Sequence, residues 1–244
     1  MRLLTLLFGL ASIAWGVAVL PTLWRQSSLE QLALSIVDRS AYRPGAVASM
    51  TPDVEAAEQD PYCRPEALRG AAVVRLRLVE DAMGAGERQA IDADLSALQT
   101  TIRSSLSCSP ADPFLWMTLS WLEGARQGFN EDQLRYLRLS YSLGPNEGWV
   151  AARRNRLALS MFERLPPDLA EAALSEFARM LDSGFYEDPI AIFTGPGWRL
   201  RDQLLPRLKD VAERYRDAFY KALYQRGYDI EVPGIARRDP RPWY

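Results

Sequence analysis

Residues 136–155 read YLRLSYSLGPNEGWVAARRN, and the fold turns on what GPNEG does between two apolar stretches. A glycine-flanked polar loop can cradle a ligand at an active-site turn, or it can be the corner where one helix stops and another starts. Taken residue by residue, the corner accounts for more of it. Residues 137–143 close a helix, Gly144 supplies a left-handed stop, and Pro145 forbids continuation. Asn146 is then an N-cap for the next helix, and Glu147 lies in its first turn, where the helix dipole favours negative charge. Gly148 is left without a reason beyond letting Trp149 approach the preceding helix.

On either side of this corner the apolar residues recur with helical spacing, and no segment shows sustained alternation with β-branched enrichment. DPFLWMTLSWLEGARQG, EDQLRYLRLSYSLGP, NEGWVAARRNRLALSMFERL and PPDLAEAALSEFARMLDSG follow one another from Asp112, each about four turns long with a short polar or Gly/Pro corner between them. Upstream, Arg64-Pro65-Glu66 opens a helix carrying Leu68, Ala72, Leu76, Val79 and Met83 on one face. The Gly84-Ala85-Gly86 break turns the chain, and Ile91, Leu95, Leu98 and Ile102 form the stripe of its partner. The expected fold class is therefore all-α.

Cys63 and Cys108 lie almost equally far from Ala85, so an antiparallel pair turning there brings them together at its open end, as a disulfide needs. Two unrelated buried thiols are the alternative reading. A bridge would place the domain in an oxidising compartment. Before this hairpin, residues 3–24, LLTLLFGLASIAWGVAVLPTLW, carry no charge, which predicts a transmembrane helix, with Trp24 and Arg25 as an interfacial anchor; a cleaved signal peptide, with Ser12-Ile13-Ala14 or Gly16-Val17-Ala18 as its site, is the alternative. Together these imply a single-pass protein of a bacterial inner membrane with its C-terminal domain in the periplasm. The domains expected are an anchor over 1–25, a juxtamembrane helix at 26–39 with a Pro-, Ala- and acid-rich linker at 41–62 completing 26–62, and the stapled hairpin over 63–110. Helix pairs over 111–183 follow, then a loop, a capping helix and an extended tail over 184–244.

The period from Pro113 to Asn146 is about one helical hairpin. Ser140, Leu143 and Pro145 match the small, large and proline positions that close such a unit, and Trp116 and Leu119 match the apolar signature of its opening helix. In these residues the chain resembles the tetratricopeptide-like family of helical repeats. The next unit, 146–183, keeps Trp149, Ala172 and Ala173 but lacks the closing proline. The resemblance implies an α-solenoid of helical hairpins, closed by a capping helix from about Arg199 to Arg226. DPFLWMTLSWLEGARQGF with LGPNEGWVAARRN also resembles α-proteobacterial envelope proteins that accompany exopolysaccharide or O-antigen polymerisation genes, which implies that setting.

Composition narrows the chemistry. The chain of 244 residues contains no histidine, which excludes histidine-based nucleophile systems and histidine metal sites. Its charge is uneven: 17 basic against 24 acidic residues over 25–198, and 11 against 7 over 199–244. That is too mild a basic end for a nucleic-acid-binding face. No phosphate-binding glycine loop or nucleophile elbow is present, and neither a cofactor nor a metal site is expected.

Two partner-binding candidates remain. Arg153, Arg154 and Arg156 cluster on the helix that opens the second unit, which in tetratricopeptide-like proteins lines the concave groove; a solvated helix face is the alternative. Trp198, with Arg199 and Arg201, can form a stacking and charge site for a sugar or anion, or a turn packed under the final helix. The reading that follows is a membrane-anchored periplasmic interaction scaffold, not an enzyme, with a protein partner in the inner membrane or periplasm. The alternative is an envelope hydrolase or lyase acting on polysaccharide or peptidoglycan through acidic pairs such as Glu123 with Glu131, or Asp182 with Glu187.

Overall fold

The computed structural model describes residues 2–38, 45–86 and 88–236, with the side chains of 2–7, 18–19, 21–26 and 88–90 left outside that description. Among the described residues all regular structure is helical. The chain divides into two compact units, Met1–Leu122 and Glu123–Tyr244.

In the first unit, α1 (Arg2–Val37) precedes two short helices, α2 (Ala46–Ser49) and α3 (Thr51–Glu58), and a long hairpin of α4 (Pro65–Ala85) and α5 (Arg88–Cys108). The α4 helix starts at Pro65, where a missing N–H costs nothing, and ends on Gly86 at φ 76°, the left-handed stop that the glycine break predicts. It is buried on two faces, because α5 packs on one side and α1 and α3 on the other. Leu68, Ala72 and Val79 of the expected stripe are buried, Leu76 is half-buried and Met83, near the hairpin turn, is exposed, while Ala67, Ala71 and Val74 form a second stripe against Leu29, Val54 and Ala57. Gly70 admits this approach: a Cβ there would lie 3.4 Å from Leu29 Cγ. From α5, Leu98 and Ile102 are fully buried, each contributing about 1.5–3 kcal/mol of transfer free energy. Arg75 closes the layer with paired bonds to Glu58 at 2.5 and 2.6 Å, and Thr101 of α5 donates to the same carboxylate.

Three expectations change in this unit. Among the described residues no helix is long and apolar enough to cross a membrane, which overturns the expected transmembrane helix. The separate helix expected at 26–39 is instead the C-terminal third of α1, which runs unbroken to Val37. The linker over 41–62 is partly helical, because Val54 and Ala57, one turn apart in α3, are buried against α4. Residues 41–44 of that linker lie outside the described residues, as do the Trp24 and Arg25 side chains.

The division between units falls within α6 (Pro113–Gln127). Asp112 caps its start, accepting from the N–H groups of Phe114 and Leu115 at 2.9 and 3.1 Å and pairing with Arg69 at 2.7 Å.

The second unit holds α7 (Glu131–Leu143), α8 (Gly148–Ser160), α9 (Pro167–Asp182), α10 (Glu187–Thr194), α11 (Arg201–Leu204) and α12 (Glu213–Gln225). Asn130 caps α7 by accepting from Gln133 N–H at 2.9 Å, and Glu131 and Asp132 occupy its first turn. Leu169, Ala173, Phe177 and Met180 of α9 face the core, where Phe177, Phe193 and Phe219 meet with ring centroids 5.3–6.1 Å apart.

Here too the expectations shift. The loop-rich stretch after Gly184 contains α10, since Pro189 falls in its first turn and leaves Ile190, Ile192 and Phe193 to be buried. The single capping helix expected from Arg199 to Arg226 is broken. Pro206 turns the chain into a 3₁₀ segment over Leu205–Asp210, Val211 is extended at ψ 140°, and only α12 continues as an α-helix. Residues 228–232 leave α12 through Gly227, at φ 85°, without regular structure, and the extended tail expected is interrupted by a turn in which Ile235 N–H donates to Val232 O at 3.0 Å and Gly234 has φ 74°; the tail beyond 236, with Pro240 and Pro242, is outside the described residues.

Candidate functional site

The junction between α7 and α8 is built on Arg154. Val150, Arg154 and Ala158 share one face of α8, and all three are buried. The guanidinium, 0% exposed, spends its donors inward. Nη1 donates to Ser140 O at 2.6 Å and to Ser140 Oγ at 3.0 Å, Nη2 to Gly144 O at 2.9 Å and Glu176 Oε1 at 2.5 Å, and Nε to Glu176 Oε1 at 3.1 Å. Its carbon lies 4.2 Å from the Tyr141 ring centroid. One side chain thus takes the terminal carbonyls of α7 and anchors α9 through Glu176. That changes the account of Gly144, which adopts φ −134° and ψ 62°, not a left-handed stop. Ser140 O still accepts the Gly144 N–H at 3.2 Å, and Arg154 adds a second donor to that carbonyl and one to Gly144 O, which lies just past the helix end.

The pair is surrounded by further buried polar groups. Asn155, also fully buried, donates to Ala173 O at 2.7 Å. Burial raises the Glu176 carboxyl above its ordinary value, against the opposing pull of Arg154. Burial, reinforced by the nearby Glu176 charge, holds the Tyr141 hydroxyl well above the ordinary tyrosine range.

Over this network opens a cleft of about 580 Å³, with walls that include Pro145, Asn146 and Gly148 from the turn and Glu176, Arg179 and Phe185 from α9 and the segment after it. The helix following the turn starts at Gly148 with Glu147 as its cap residue, one position later than Asn146 predicts, and the Glu147 side chain makes no capping hydrogen bond. Gly148 acquires its reason: an added Cβ would sit 2.3 Å from Cζ of the Phe185 ring, which packs onto the bare backbone. The corner reading of GPNEG therefore holds, and the same corner also forms a cleft wall.

The predicted site residues are distributed differently from expectation. Arg153 is half-buried over the Trp149 ring, 5.7 Å from its centroid, Arg154 is sequestered, and Arg156 is exposed. The cluster is thus not a groove-facing set of cations, because the central member lies on the apolar phase of its helix. Trp198 is half-buried, its ring 5.9 Å from Phe193 and 4.9 Å from Tyr228, with Arg201 over it at 5.3 Å. Arg199 points elsewhere, donating to Ser160 O at 2.7 Å and Leu159 O at 3.3 Å, where it caps the end of α8. The turn-packing alternative describes Trp198 and Arg199. Cys63 and Cys108 lie with Cα atoms 5.7 Å apart, at disulfide distance, as the symmetric hairpin predicts.

No protein-family model matches the chain, and no curated protein or solved structure matches it either. The tetratricopeptide-like assignment has no relative behind it; the helical architecture is compatible with a helical-repeat fold.

Proposed function

We propose that the chain is a helical interaction scaffold whose second unit engages a protein partner at the cleft between the 145–148 turn and Phe185. The observation that carries this reading is the state of the carboxylate deepest in the cleft wall. Glu176 is committed to Arg154 at 2.5 Å, so it locks helices together where a catalytic carboxylate would be presented to substrate. The rest of the wall combines the Phe185 ring, the exposed Pro145 and Asn146 of the turn and the exposed Arg179, features suited to gripping a peptide segment. The cysteine pair supports an oxidising compartment, the periplasm in a bacterium. Assembly of envelope polysaccharide is the setting that the sequence resemblance implies, with the protein as an accessory.

A photo-reactive residue at Asn146 or Arg179 tests this in intact cells. The scaffold reading expects one discrete protein adduct from both positions and none from Arg156. Equal labelling from all three positions would sink it.

A second reading has one observation in its favour. Glu176 and Asp182 share the cleft wall, and burial raises the Glu176 carboxyl above its ordinary value; an envelope hydrolase would require such a carboxylate pair. Release of sugars from envelope polysaccharide by the purified chain, lost in Glu176→Gln while the fold is retained, would establish it.

A further inference from the structure

Beyond α12 the chain behaves like a bound peptide. From Tyr228 to Val232 burial alternates strictly: Tyr228, Ile230 and Val232 turn inward while Asp229 and Glu231 face solvent. Val232 is 3% exposed, and Tyr228, Ile230 and Ile235 pack against the core of the second unit. This period of two, on a segment that is not part of any sheet, is how an extended ligand fills a groove, with alternate side chains as plugs. Arg216 of α12 fastens the segment near its end, its Nη1 donating to Pro233 O at 2.5 Å. The other end is the cap of α12, where Gly227 has φ 85° and the N–H groups of Gly227 and Tyr228 donate to Tyr224 O and Leu223 O, both at 3.0 Å.

We propose that residues 228–235 form an exchangeable strap, and that the groove beneath them also accepts the same strap from a second copy of this chain. Lifting the strap uncovers the Trp198 face against Tyr228 and the seat of Val232. That apolar surface is then matched by the strap of another copy, whose side chains fit it by construction. Exchange costs little, because each strap makes in trans the contacts that it gave up in cis. The inference stands apart from the cleft at the 145–148 turn, and neither depends on the other.

The test mixes two mass-labelled populations of the full chain at high concentration and follows them by native mass spectrometry, with a synthetic peptide of residues 228–236 as competitor. The proposal expects mixed dimers that the peptide disperses, and a peptide carrying Val232→Asp that leaves them intact. It also expects at least a tenfold loss of mixed dimer in the full-length Val232→Asp variant. Should that variant fail to fold, the peptide competition on the wild-type chain still decides. No mixed dimer, or a dimer indifferent to the peptide, would overturn the proposal.

Discussion

Arg154 and Glu176 form an ion pair at 2.5 Å with side chains 0% and 1% exposed, so two opposite charges from successive helices meet with no solvent beside them. Burial of this kind is costly for each ion alone, and the pair persists because Ser140 O, Gly144 O and Asn155 complete its hydrogen bonding. Replacing Arg154 by Met should therefore cost the second unit about 3–5 kcal/mol, since it strands the Glu176 carboxylate and the α7 carbonyls. The double variant Arg154→Met with Glu176→Met should recover more than half of that loss. Urea unfolding followed by tryptophan fluorescence reads both; equal losses in the single and double variants would show that the pair is not the source.

Gly148 and Phe185 give a sharper steric case. Gly148→Ala puts a methyl 2.3 Å from the ring, and the displaced packing should cost about 1–3 kcal/mol. Adding Phe185→Leu makes room and should return most of it. Thermal unfolding of the two variants checks the compensation, which is absent if the glycine matters only as a turn residue.

The pH dependence has two limbs with the same sign. Tyr141 has a folded-state pKa above its unfolded value of 10.0, so the unfolded chain releases the proton first and stability falls as pH rises past 10. Tyr141→Phe should flatten that limb, as measured by unfolding free energy against pH. Glu176 is likewise raised above 4.5: its contribution is fully present below that value and declines as pH climbs through the folded-state pKa. Denaturation of Glu176→Gln should lack this acidic-side decline.

The cysteine pair spans 45 residues, and a bridge closing a loop of that size contributes roughly 4 kcal/mol in the chain-entropy description. Cys63→Ser with Cys108→Ser should lower the stability of the first unit by about that amount, and reductant should do the same to the native chain. Maleimide labelling in intact cells checks the compartment: without reductant, neither cysteine should react.

Much of the fold is legible in the sequence, and the misses have separate physical causes. The stripes of α4 and α5 were clear because their apolar residues recur at three and four. The equal spacing of Cys63 and Cys108 from Ala85 was enough to bring them together. Arg154 was misjudged because three arginines in four positions look like a solvated face. Helical phase held the correction, since Arg154 lies four residues from both Val150 and Ala158, as Glu176 does from Met180. Opposite charges on the apolar phases of two successive helices signal a buried pair. The cleft was not legible, because Phe185 reaches Gly148 across 37 positions of sequence and no local pattern encodes that contact. Pro206 was the opposite case, a local signal for a broken helix outweighed by the continuous apolar face around it.

The central claim, that the surface joining the 145–148 turn to Phe185 is where the chain meets its partner, is tested most directly by hydrogen exchange. The purified chain would be compared with and without detergent-solubilised envelope extract. The account predicts slowed exchange confined to peptides covering 145–151 and 179–185. Slowing confined to other segments, or no slowing alongside sugar release that Glu176→Gln abolishes, would contradict it.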